Sequence, residues 1–184
     1  AQKTEQDIWN GAAATNGSIA GFKELMLADA DVTDVGAGAA VTAANVIDKM
    51  GLVVDAIPST IYTSEDLYIY VSQNVARSYV RALGGFQATI GGAGTDDKGT
   101  QWYNGGGLSF DGVKIAVANG LPDNTMVAAE KSNLYFGTGL LSDYNQVKVI
   151  DMADLDGSQN VRVVMRFTAG VQYGIVGDIV SYGI

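Results

Sequence analysis

The chain contains no cysteine and no histidine. The first absence excludes disulfides, thiolate-bound zinc or iron–sulfur centres and cysteine nucleophiles. The second removes the usual general base at neutral pH, the Ser-His-Asp triad, most catalytic zinc sites and the common haem ligand. Few enzyme classes survive both absences, and none of catalysis, a cofactor or a metal is expected. Proline occurs twice, at Pro58 and Pro122, so rigid stops are few. No apolar run approaches the roughly 18 residues needed to cross a bilayer, and Ala1 to Asp7 lacks the apolar core of a secretory signal. A soluble chain without a membrane partner is expected. Cations are scarce, with 11 Lys and Arg against 20 Asp and Glu and a net charge of −9. Such a balance repels a polyanion, so sequence-specific nucleic-acid binding is not expected.

What is present is a chain of 184 residues, 47% hydrophobic and 17% charged. That length can bury a substantial core, and the low charge leaves surface for neighbouring subunits to cover. The 24 glycines call for many tight turns, so more strand than helix is expected. The chain starts at Ala1 instead of Met, which marks it in this reading as a processed or cut piece of a longer protein.

Along the chain, residues 6–9 read as a short strand or extended arm closed by Asn10-Gly11, and 22–27 as a short helix. A longer helix follows, N-capped by Thr42, with Val46, Ile47, Met50, Val53, Val54 and Ile57 on one buried stripe and Pro58 as its stop. Alternation of Leu67, Ile69 and Val71 with Tyr68 and Tyr70 predicts a strand over 65–71. Ser72 then caps a helix over 74–83, with Val75, Tyr79, Val80 and Leu83 facing inward, Arg77 and Arg81 in water, and Gly84-Gly85 at its end. Asp111-Gly112 makes a hairpin of 108–110 with 113–117, and Leu121 to Asn124 turns the chain. Strands are expected at 125–129, 147–151, 161–169 and 173–180, with a helical turn over 132–137. Asp156-Gly157 forms the tip of a hairpin between 147–151 and 161–169. The order argues an α+β fold, mainly antiparallel sheet with two or more packed helices, in a single compact unit over 1–184.

Candidate sites are few. Asp29, Asp31 and Asp34 lack the glycine and the bidentate glutamate of a calcium loop and read as a solvated loop, and Asp151, Asp154 and Asp156 lack its alternation and read as a polar hairpin tip. The glycine-rich stretch 91–107 carries Lys98-Gly99-Thr100, an order that fails the phosphate-loop pattern. Within it, Trp102 and Tyr103, beside Asn104, Asp96 and Asp97, suit either stacking on a sugar ring or anchoring on a neighbouring subunit. Glu65 and Asp66 are adjacent on a strand, so they point to opposite faces and do not make a glycosidase pair.

Several short runs share a further pattern. Phe110-Asp111-Gly112-Val113-Lys114-Ile115, Leu121-Pro122-Asp123-Asn124-Thr125-Met126, Asn133-Leu134-Tyr135-Phe136-Gly137-Thr138, Val149-Ile150-Asp151-Met152 and Asp156-Gly157-Ser158 resemble major capsid proteins of tailed bacteriophages with the HK97-type fold. The front, with Ile8-Trp9-Asn10-Gly11 and the helix holding Tyr79, is similar too. The resemblance implies an HK97-like capsid subunit, an A-domain with part of a P-domain, lacking the N-arm and E-loop. It implies a structural role in an icosahedral phage or prophage shell, self-association in a capsid lattice, contact with other virion proteins, and assembly in the host cytoplasm. Under it, Asp96, Asp97, Trp102, Tyr103 and Asn104 lie on an inter-subunit loop. The reading that competes with it is a carbohydrate-binding or adhesin-like β-rich module, carried by the same loop.

Overall fold

The computed structural model describes residues 2–12, 19–36, 39–83, 107–139, 146–153, 157, 159–166 and 169–184. The helices are α1 (Gln2–Asn10), α2 (Phe22–Ala28), α3 (Val46–Asp55) and α4 (Gln73–Ala82). The strands are β1 (Thr33–Asp34), β2 (Leu67–Val71), β3 (Ser109–Phe110), β4 (Val113–Val117), β5 (Met126–Glu130), β6 (Leu134–Thr138), β7 (Gln146–Asp151), β8 (Val161–Arg166), β9 (Ala169–Tyr173) and β10 (Val180–Tyr182).

Among the described residues, six strands form the body sheet in the order β1-β10-β5-β2-β4-β3, and β6–β9 and β7–β8 form two antiparallel ribbons. Only β1–β10 and β2–β4 are parallel, so the α+β, mainly antiparallel expectation holds. Side-chain alternation makes the sheet two-sided. Leu67, Ile69 and Val71 of β2 pack with Met126 and Ala128 of β5 beneath α3 and α4, around fully buried Val46, Met50 and Val75. Val127, Ala129 and Tyr70 face the other way, onto Trp9 of α1 and Phe22 and Met26 of α2.

The residues 6–9 are neither a strand nor an extended arm but lie within α1. A helix this short and polar is marginal by itself. Tertiary burial holds it, since Trp9 sits 5.3 Å from Phe22 and 5.2 Å from Tyr70 between ring centroids. Helix α3 starts at Val46, after a turn in which the Thr42 N–H donates to Asn45 Oδ1 at 2.8 Å and the Thr42 carbonyl accepts from the Val46 N–H at 2.9 Å. Ile47 is 46% exposed and leaves the expected buried stripe.

In α4 the buried positions are Val75, Ala76, Ser78 and Tyr79, whereas Leu83 is exposed. The Ser72 hydroxyl bonds Asn74 Oδ1 at 2.7 Å instead of a helix N–H. Asp111 and Gly112 take φ of 48° and 82°, the left-handed pair that a two-residue hairpin needs. The expected helical turn at 132–137 is a 3-10 turn, Lys131–Asn133, followed by β6. The expected strand 173–180 is two pieces, the end of β9 and the start of β10, separated by the 3-10 turn Val176–Asp178. The hairpin of β7 and β8 forms as expected, with Val149 opposite Val163.

Candidate functional site

The residues singled out as a ligand or inter-subunit loop, Asp96, Asp97, Trp102, Tyr103 and Asn104, lie outside the described residues, as do Lys98 to Thr100, Asp154 and Asp156. The other candidates are engaged locally. Asp29 accepts the Asp31 N–H at 3.1 Å through one oxygen and the Tyr173 hydroxyl at 3.1 Å through the other. Asp34 accepts the Gly36 N–H at 3.3 Å. Asp151 accepts the Ala153 N–H at 2.9 Å. Among the described residues no three acidic side chains converge as metal ligands would.

Glu65 and Asp66 lie in the turn before β2, not on the strand expected from 65 onward, and of the two only Glu65 lines the open groove there. Asp66 accepts the Ser132 N–H at 3.1 Å and anchors the turn after β5. Glu65 lines an open polar groove of about 450 Å³ with Tyr62, Ser64, Leu67, Gly112 and Lys114. Tyr62 closes one end, its hydroxyl donating to the Asp111 carbonyl at 2.8 Å, and Lys114 lies 5.7 Å from the centre of the Tyr68 ring. Burial raises the Tyr62 pKa, with the nearby Asp111 adding to it. Of the groove's polar side chains, the Tyr62 hydroxyl is tied to the Asp111 carbonyl and the Ser64 hydroxyl accepts the Asp66 N–H at 3.4 Å.

Among the described residues an apolar face also stands exposed. The register of β7 with β8 places Val147, Val149, Val161 and Val163 on one face, and they are 58%, 64%, 61% and 58% exposed. Tyr135 and Phe136 of β6 and Ile175 beyond β9 are exposed as well. The two strands were expected from the sequence, but which face the fold would leave uncovered was not. A two-stranded ribbon is marginal alone, and a bare face of four valines on one is the kind of surface that subunit contact covers.

No family model and no curated protein matches the sequence. Solved structures do match. A chain of Mycobacterium phage Che8 superposes with a TM-score of 0.60 at 17% identity, over 85% of this chain and 54% of that one. A chain of the satellite phage P4 procapsid that includes the size-determination protein gives 0.61 at 10% identity, over 98% and 61%. A chain from the capsid of an empty GTA particle gives 0.59 at 11% identity, over 98% and 60%. The chain thus spans less than two thirds of the length of each. At these identities the likeness is one of architecture: the chain carries the HK97-like capsid fold.

Proposed function

We propose that this chain is the shell-forming part of a major capsid subunit, comprising an A-domain with part of a P-domain. The observation that supports it most strongly is the superposition over 98% of the chain on the P4 procapsid and GTA capsid chains. The exposed valine face of β7–β8 and the surface poor in charge agree with a protein that meets other copies of itself. Its work is structural: the buried two-sided sheet gives a stiff tile, and binding energy goes into subunit contacts. The loop holding Asp96, Asp97, Trp102, Tyr103 and Asn104 has the glycine and aromatic content of an inter-subunit contact. The proposed location is the virion shell, after assembly in the host cytoplasm. Expression of the whole protein that carries this chain, followed by sedimentation and negative-stain microscopy, tests the reading. Large closed particles are expected; a monomer at every concentration contradicts it.

A further inference from the structure

Two stretches of this chain pair with each other twice. In the body sheet β5 runs against β10, ending at Ala128 with Val180; in the outer ribbon β6 runs against β9, starting at Leu134 with Tyr173. Between these rungs the first stretch crosses with residues 129–133 and the second with 174–179, so one side is a residue longer. Such a mismatch bends a ladder. Each side also makes a 3-10 turn there, Lys131–Asn133 and Val176–Asp178.

Hydrogen bonding divides at the same place. On the body side, the Lys131 and Ser132 N–H groups bond the Asp66 carbonyl at 2.9 Å and its carboxylate at 3.1 Å instead of the opposite stretch. On the ribbon side, buried Asn133 extends the β6–β9 ladder by a rung. Its Oδ1 accepts from the Gly174 and Ile175 N–H groups at 3.0 and 2.7 Å, and its Nδ2 donates to the Ile175 carbonyl at 2.7 Å. A side chain on residue 174 would meet Asn133 Oδ1 and the Tyr135 ring at 3.2 Å, so glycine lets this rung close.

Two units therefore meet at a short joint. Leu134 and Val171 of the ribbon pack on the core formed with α1 and α2, a non-directional contact that permits sliding. A directional contact is made by Tyr173, whose hydroxyl lies 3.2 Å from the Leu25 carbonyl and 3.1 Å from Asp29 Oδ2 at the end of α2. We propose that residues 131–133 and 174–178, between the body strands and the ribbon, are a hinge, and that the Tyr173 hydroxyl, seated on Leu25 and Asp29, is the latch that fixes the ribbon's angle to the body. The inference stands apart from the shell reading, although a tile with an adjustable ribbon can meet neighbours at more than one angle.

The absence of native cysteine makes distance labelling unambiguous. Spin labels at Asp55→Cys on α3 and Thr138→Cys at the ribbon's far end report the angle; labels at Asp55→Cys and Arg81→Cys report the body alone. Tyr173→Phe keeps the buried ring and removes only the hydroxyl. The weight of swung distances between body and ribbon is expected to rise about fivefold, the equivalent of one hydrogen bond of about 1 kcal/mol, with the body pair unchanged. Asp29→Ala, which removes one acceptor, is expected to act in the same direction and carries the test if Tyr173→Phe does not fold. An unaltered body-to-ribbon distribution in both variants overturns the latch. Equal broadening of the body pair overturns it too, because the whole fold would then have loosened.

Discussion

Asn74 and Asn124 hold each other: the Asn124 N–H donates to Asn74 Oδ1 at 3.0 Å, and Asn74 Nδ2 donates back to Asn124 Oδ1 at 3.0 Å. Asn124 Oδ1 also accepts the Val41 N–H at 2.9 Å, so one side chain joins the start of α4, the turn before β5 and the segment leading to α3. Asn124 does this with φ of 65°, a conformation that asparagine tolerates better than most residues.

Asn124→Ala is therefore expected to lose the two bonds accepted by Oδ1 and to strain the backbone, costing about 2–4 kcal/mol in urea unfolding. Asn124→Gly relieves the strain but not the lost bonds and should recover about 1 kcal/mol of that. Equal losses in the two variants would show that the left-handed backbone contributes nothing.

Two positions on α3 separate the structure from a periodicity argument. Ile47→Asp is expected to cost less than about 1 kcal/mol, because that side chain already reaches water. Val53→Asp places a carboxylate where exposure is 0% and should cost several kcal/mol or abolish folding. Thermal melts of the pair check this, and a reversed order would mean that α3 is rotated from the face described.

Gly120 sits where α1 crosses the sheet, and a Cβ there would run into the Glu5 carbonyl and approach Trp9 Cδ1 at 2.9 Å. Backbone cannot move aside as a flexible side chain can. Gly120→Ala should therefore cost about 1–3 kcal/mol and raise Trp9 fluorescence quenching by solvent, whereas Gly51→Ala, which meets nothing within 4 Å, should not destabilise.

Alkali should unfold the protein through its tyrosines. Burial pushes Tyr70 up to about 12, with Tyr68 and Asp66 adding to it; burial also pushes Tyr173 to about 12, together with its bond to Asp29. The unfolded phenols ionise near pH 10 while the folded ones keep their protons. The stability they contribute is thus complete below about pH 10 and is lost as pH rises toward about 12. Urea midpoints at about pH 9 and about pH 11 should differ, and Tyr70→Phe should flatten the slope. No slope in the parent chain would contradict the burial of both groups.

Strand β2 and helices α3 and α4 were legible because each buries its own periodic face: Leu67, Ile69 and Val71 alternate, and Val46, Met50 and Val53 recur at helical spacing. Helix α1 was not, since Glu5 to Trp9 acquires its helical state from the Phe22 and Tyr70 rings, which are distant in sequence. Nor was β6, whose partner β9 starts 31 residues after β6 ends and whose Leu134-Tyr135-Phe136 run fits a turn as well as a strand. The candidate site divides in the same way. Asp156-Gly157 between the two apolar runs gave the pairing of β7 with β8, but the bare face is a property of what the fold leaves uncovered.

Cryo-electron microscopy of the assembled whole protein tests the central claim most directly. The account predicts a closed shell with rotational symmetry in which the six-stranded body and its ribbons fit the density of every repeating subunit, with Val147, Val149, Val161 and Val163 covered by protein. Particles whose repeating density does not accept this fold, or a protein that forms no particles, would contradict it.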